Sequence, residues 1–199
     1  LMDAGRLSIC GEESFGTGSD HIREKDGLWA IVAWLNILAF ANKEHAGTSV
    51  ADVLQAHYKQ YGRNFFSRYD YEEVESAGAQ TMMSELRAKV TDPAFLGTTQ
   101  GSFKVAEAGD FSYTDPIDHS VSKNQGLYVR MEDGSRIVFR LSGTGSAGAT
   151  IRLYVEKYSS MAAEYAADVQ EALRPIIDVA LQLSALQRHT GRNEPTVIT

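Results

Sequence analysis

Cysteine is almost missing from this sequence: Cys10 stands alone among 199 residues, so no disulfide can form within the chain. No Asn-x-Ser/Thr acceptor occurs either, and both absences fit a reducing, cytoplasmic setting. Long apolar runs are scarce. The longest, Leu28 to Ala41, is interrupted by Asn36 and is shorter than the roughly 20 residues a bilayer helix needs, so it reads as a buried helix. The first residues, LMDAGRLSIC, lack the basic start and sustained apolar stretch of a signal peptide. Positive charge is also in deficit. A formal net charge of -7 argues against broad nucleic-acid or anionic-membrane binding, so an anionic ligand must be met by a local cluster of cations. The five histidines, His21, His45, His57, His119 and His189, have no paired metal-ligand spacing. Only His21 lies in a candidate site, where it reads as a supporting residue.

What the chain does have is 43% hydrophobic residues, enough for packed domains. RLSIC reads as a short buried strand, and Asp26 caps a helix from Gly27 to about Ala41. That helix is apolar on nearly every face and needs neighbours on two sides, which one short strand does not supply. A second helix runs from a Thr48/Ser49 cap to Gly62. Residues 1–62 therefore read as the closing part of an α/β domain. Together with the opening on Leu1, this leads to the expectation that the chain is the C-terminal portion of a longer polypeptide. Residues 63–199 read as a complete α+β domain, an antiparallel sheet with helices on one face. RNFFSRYDYEEVE alternates as a strand or a hinge would, and a helix with Ala79, Met83, Leu86 and Val90 on one face follows it. Prolines are few, four in all, and act as punctuation. Thr91-Asp92-Pro93 stops that helix, and Pro175 is expected to break the helical tail. Between them, GLYVRMEDGSRIVFRLS with its Asp133-Gly134 turn and ATIRLYVEKY have the alternation of paired strands.

Two loops carry chemistry. CGEESFGTGSDHIREKDG places seven charged side chains and four glycines ahead of the apolar helix, more than a connector needs. A carboxylate such as Glu12 accepts hydrogen bonds from adjacent sugar hydroxyls, with Ser14 and Lys25 as further polar partners. Solvated surface acids are the plain alternative. The second loop, SGTGSAG, lies between Arg140 and Arg152. Gly143 and Gly145 allow backbone N–H groups to turn toward an anion, Ser142 and Thr144 add hydroxyl donors, and the two guanidiniums supply charge-assisted bonds suited to phosphate. A glycine-rich hairpin with solvated arginines is the alternative here. The loop also matches G-x-G-x-x-G, but TIRLYVEKY after it alternates as a strand, whereas a dinucleotide fingerprint requires a helix.

CGEESFGTGSDHIREKDG followed by LW, then YGRNFF and RLSGTGSAGATIRLY, closely resembles the phosphoglucomutases of the α-D-phosphohexomutase superfamily, and the likeness runs through to TGR and PTVIT. The resemblance implies the end of the third, sugar-recognising α/β domain (1–62) and all of the fourth, phosphate-binding domain (63–199). It implies interconversion of glucose 1-phosphate and glucose 6-phosphate through a phosphoserine enzyme and glucose 1,6-bisphosphate, with Mg2+ as cofactor and the remainder of the same polypeptide as partner. By that resemblance Glu12 and Ser14 bind the sugar hydroxyls, Arg140, Ser142, Gly143, Thr144, Gly145 and Arg152 hold the phosphate not being transferred, and Lys25 serves in electrostatic stabilisation or proton transfer. The sequence departs from the family in two respects. Neither a TASHNPGG-like phosphoserine loop nor a DGDGDR-like metal loop is present, so no metal ligand is assigned and the isolated chain is expected to be inactive. A phosphoglucomutase-like structural or adhesion protein without turnover is the alternative.

Overall fold

The computed structural model describes the whole chain except Asp3, Glu13, Ser14, Arg23, Ser146 and Ala147. It divides into two units, Leu1–Tyr61 and Gly62–Thr199.

The first unit begins with a β-hairpin of β1 (Ile9–Gly11) and β2 (Thr17–Ser19), in antiparallel register from Ile9↔Ser19 to Gly11↔Thr17. Helix α1 (Gly27–Glu44) follows, with Asp26 as N-cap accepting from the Trp29 N–H, and α2 (Val50–Tyr61) closes the unit. Three expectations change: the RLSIC strand, the end of the first helix, and the burial of that helix, which a two-stranded ribbon and α2 do not cover within this unit. RLSIC is not a buried strand: only Ile9 and Cys10 of it are extended, and β1 is exposed along its length. A two-stranded ribbon offers one partner and no layer to cover it, so it buries little. Helix α1 also runs one turn beyond Ala41, where the His45 N–H closes the last turn on the Ala41 carbonyl. It has no buried residue, and Leu28, Leu35 and Phe40 are largely exposed. At the start of α2, Ser49 and Asp52 cap each other reciprocally: the Ser49 N–H and hydroxyl donate to the Asp52 carboxylate while the Asp52 N–H donates to Ser49 Oγ.

In the second unit an antiparallel sheet carries the structure. Its strands are β3 (Arg63–Val74), β4 (Thr99–Gln100), β5 (Phe103–Asp110), β8 (Leu127–Met131), β9 (Arg136–Gly145), β10 (Gly148–Ser159) and β11 (Val197–Ile198), in the order β11-β3-β10-β9-β8-β5-β4. A separate ribbon of β6 (Tyr113–Thr114) and β7 (Val121–Ser122) lies between β5 and β8 in sequence. Helices α3 (Ser76–Val90), α4 (Val169–Ser184) and the short α5 (Leu186–Thr190) complete the unit.

The period-2 alternation of β9 and β10 sends Ile137, Phe139, Ile151, Leu153 and Val155 into the core, where they join Met82 and Leu86 of α3 and Ile176 and Ala180 of α4. The alternate residues, Arg136, Val138 and Arg140 on β9 and Arg152, Tyr154 and Glu156 on β10, occupy the other face. The expected break at Pro175 does not occur: α4 runs through it without interruption. Proline inside a helix costs about 3 kcal/mol through the missing N–H and the ring clash. Against that, Leu173, Ile176, Ile177 and Leu183 are buried on one stripe with Ala180, each of these leucines and isoleucines contributing about 1.5–3 kcal/mol, and the Asp168 carboxylate caps the Gln170 and Glu171 N–H groups. Packing therefore outweighs the local breaker.

Candidate functional site

The first loop is the tip and exit of the β1–β2 hairpin. The Glu12 N–H donates to the Gly16 carbonyl at 2.8 Å, closing the tip, and the Asp26 N–H donates to the Thr17 carbonyl at 2.8 Å, returning the chain to the hairpin. This folding brings two of the sequence-predicted residues together: Lys25 Nζ lies 2.7 Å from Glu12 Oε2. Gly16 makes the approach possible, since a Cβ there would lie 2.9 Å from Lys25 Cδ. Both side chains are substantially exposed, so the pair is poised toward solvent and an incoming hydroxyl can share the carboxylate. Ser14 lies outside the described residues.

His21 is held on the same loop. Its Nε2 lies 3.0 Å from Asp26 Oδ2, its Nδ1 is hydrogen-bonded to the Ser19 hydroxyl, and its ring stacks on Trp29 with centroids 6.3 Å apart. In the tautomer with Nε2 protonated, the imidazole donates to Asp26 and accepts from Ser19. The Trp29 N–H, then the His21 ring, hold the Asp26 carboxyl below its ordinary value. His21, Ser19 and Asp26 thus brace the loop against the first turn of α1. Asp26 was legible in the sequence as a cap, but its use of the second oxygen for His21 was not.

The second loop joins β9 to β10. Ser142 pairs with Thr150 and Gly145 with Gly148, and in that interval β9 holds one residue more than β10. Gly143, at φ +64°, sits in it, a conformation that costs a residue with a side chain. Flanking the loop, Arg140 before it and Arg152 after it are register partners, so their Cβ atoms leave the same face of the sheet. Ser142 shares that face by alternation. Of Thr144 and Gly145 the strand backbone is described.

Arg152 Nε lies 3.9 Å from Oδ2 of Asp70, which pairs with it from β3, and Arg68 Nε donates to the other Asp70 oxygen at 3.0 Å. Arg140 forms no ion pair among the described residues and lines two hollows. One, of about 370 Å³, is walled by Gln80, Met83 and Arg87 of α3 together with Gly126; the other, of about 910 Å³, lies over Tyr128, Arg130 and Arg136. Arg87 is anchored to Asp110 at 2.7 Å, and Gly126 passes so close that a Cβ there would lie 3.1 Å from Arg140 Cγ. Arg87, Asp110, Gly126 and Asp70 escaped sequence reasoning. Only Arg68 and Asp70 had a local signal, their i, i+2 spacing on one strand face; the others meet across strand and helix boundaries.

The first unit matches the family model "Phosphoglucomutase/phosphomannomutase, alpha/beta/alpha domain III" over residues 1–61, and the second matches "Phosphoglucomutase-1, C-terminal domain" over residues 63–196. The chain belongs to the phosphoglucomutase family. Its fold is accordingly that of a domain III segment followed by the C-terminal domain, mixed α/β with an antiparallel sheet. It is 57% identical to phosphoglucomutase-1 of Homo sapiens, with all of this chain and 35% of the relative covered. It is likewise 57% identical to the chloroplastic phosphoglucomutase of Solanum tuberosum, where 32% of the relative is covered. Among solved structures, parafusin of Paramecium in its open form, described as an exocytosis-sensitive phosphoprotein and phosphoglucomutase, superposes with a TM-score of 0.86 at 52% identity, covering this whole chain and 34% of that one. The chain thus spans about a third of the length of these phosphoglucomutase relatives.

Phosphoglucomutases imply Mg2+, and the described residues of this chain offer no set of ligands that fits it. Among the described residues no group of three His, Cys, Asp or Glu side chains is placed to hold a metal ion. Nor is any helix of the described residues long and apolar enough to cross a membrane.

Proposed function

We propose that this chain supplies sugar and phosphate recognition to a phosphoglucomutase that interconverts glucose 1-phosphate and glucose 6-phosphate by way of glucose 1,6-bisphosphate. The observation that carries the reading is the Arg140–Arg152 register pair beside the Ser142–Gly148 loop. Two guanidinium forks on one sheet face, with Ser142, Thr144 and the backbone N–H groups around Gly143 and Gly145, suit the three oxygens of a phosphate ester. Glu12 and Ser14 take the sugar hydroxyls. Lys25, already salt-bridged to Glu12, both orients that carboxylate and places a cation near the substrate.

The division of labour suits a substrate that must be held in two orientations. One loop recognises hydroxyls, the other recognises whichever phosphate is not being transferred, and orientation supplies much of the rate. In this reading the phosphoryl donor, a phosphoserine, and Mg2+ with its ligands belong to the remainder of the polypeptide, and no step here is routed through the metal. A cytoplasmic location belongs to the same proposal, supported by the lone, exposed Cys10.

The test is a chimera in which this chain replaces the matching third of human phosphoglucomutase-1. Conversion of glucose 1-phosphate to glucose 6-phosphate is expected, with loss of turnover on Arg140→Ala. A folded chimera that binds glucose phosphates without turning them over would favour the non-catalytic, structural alternative.

A further inference from the structure

We propose that Asp70 is the positioning residue for Arg152, an inference that rests on the phosphate reading of the β9–β10 loop. Asp70 on β3 is the register partner of Arg152 on β10, which is in turn the partner of Arg140 on β9. The three therefore stand in one row across adjacent strands and project from the same face. Like charges directly opposite each other repel, so an Arg–Arg pair needs an anion nearby. In this row the resident anion is Asp70, whose side chain is only 5% exposed.

Its two oxygens are divided. Oδ1 accepts from Arg68 Nε at 3.0 Å, while Oδ2 faces Arg152 Nε at 3.9 Å. That separation is an ion pair and too long for a hydrogen bond, and Arg152 Nε, shielded from solvent, has no hydrogen-bond partner among the described residues. The carboxylate thus aligns Arg152 by charge along its Nε edge and commits no terminal amino group, which leaves the Nη groups for a ligand. The charge balance agrees. Arg68, Arg152 and Arg140 against one carboxylate leave two positive charges, close to the roughly -1.5 to -2 that a phosphate ester carries near neutral pH.

The strand itself does not depend on the carboxylate. The Asp70 carbonyl accepts from the Thr196 N–H at 2.7 Å, and Asp70 pairs with Val197 on β11. Asp70→Asn therefore keeps the backbone ladder and an acceptor for Arg68 while removing the attraction on Arg152.

Inorganic phosphate and glucose 6-phosphate are titrated into the 199-residue chain, with arginine Nε–Hε NMR signals as readout. Asp70→Asn is expected to weaken both ligands about tenfold in the native background, and less than about twofold when Arg152 is already alanine. Equal losses in both backgrounds would mark Asp70 as merely structural, and native affinity in Asp70→Asn would overturn the proposal outright. Should Asp70→Asn unfold, Arg68→Met provides the second test, because it leaves the carboxylate to Arg152 alone. Slower solvent exchange of the Arg152 Nε–Hε proton is then expected, and unchanged exchange refutes the inference. Failure of the underlying phosphate reading has a different signature: Arg140→Ala and Arg152→Ala would themselves leave phosphate affinity unaltered.

Discussion

Arg140 and Arg152 stand directly opposite each other on antiparallel strands β9 and β10, their side chains on the face of the sheet away from the core. Two guanidiniums so placed bind a shared anion better than either does alone. Alanine at either position is expected to weaken glucose 6-phosphate binding by about 1.5–3 kcal/mol, the range for a hydrogen bond to a charged group, as measured by calorimetry. Affinity unchanged in both variants would remove the phosphate site from this loop.

If Glu12 reads the sugar, as proposed, its substitution separates the ligand's two halves. Only the sugar offers hydroxyl donors to a carboxylate, so Glu12→Gln should weaken glucose 6-phosphate while sparing inorganic phosphate, whereas Arg152→Ala should weaken both. The decisive comparison is inorganic phosphate with Glu12→Gln. A loss as large as for the sugar phosphate would mean that the first loop does not read sugar.

Gly126 fixes the space beside Arg140. A methyl group there would stand 3.1 Å from Arg140 Cγ and 3.2 Å from the Phe139 carbonyl. The long arginine stem can swing away more readily than the strand can move, so Gly126→Ala should displace Arg140 and reduce phosphate affinity several-fold while lowering the melting temperature only slightly. Full retention of affinity would show that Arg140 does not need its observed course.

Alkaline stability has a defined contributor in Tyr71. Burial pushes its phenol from 10.0 up to about 12. Between those values the unfolded chain loses the proton that the folded state keeps, so the contribution is fully present below pH 10 and declines as pH rises toward 12. Tyr71→Phe should flatten the fall in chemical-denaturation stability over that window. An undiminished slope would assign the fall to other groups.

The second unit should fold alone. Its buried cluster is drawn entirely from residues between Phe65 and Leu186, all within Gly62–Thr199. A fragment of residues 62–199 is expected to melt cooperatively by circular dichroism, and a gradual, non-cooperative melt would refute this.

Strands, helices and both loops were legible in the sequence wherever the determinant was local. Period-2 alternation in IVFRLS and TIRLYV placed β9 and β10, the Asp26 cap placed the start of α1, and the glycines and arginines around Ser142 marked the second loop. Local rules failed where burial decided. Pro175 carries a real local penalty, yet α4 passes through it because the stripe from Leu173 to Leu183 is buried against the sheet. Conversely, RLSIC has the composition of a buried strand but lacks a layer to bury it.

By itself, the sequence marked the two loops rich in glycine and charge and determined which strand face each arginine takes. Tertiary structure decided register, and register set Arg152 between Arg140 and Asp70. It likewise brought Lys25 onto Glu12 through the closure at Gly16, and Arg87 onto Asp110. The physical reason is range. Alternation and capping act over a few residues, whereas the pairing of β3 with β10 joins positions some eighty residues apart and depends on which apolar faces close together over one core.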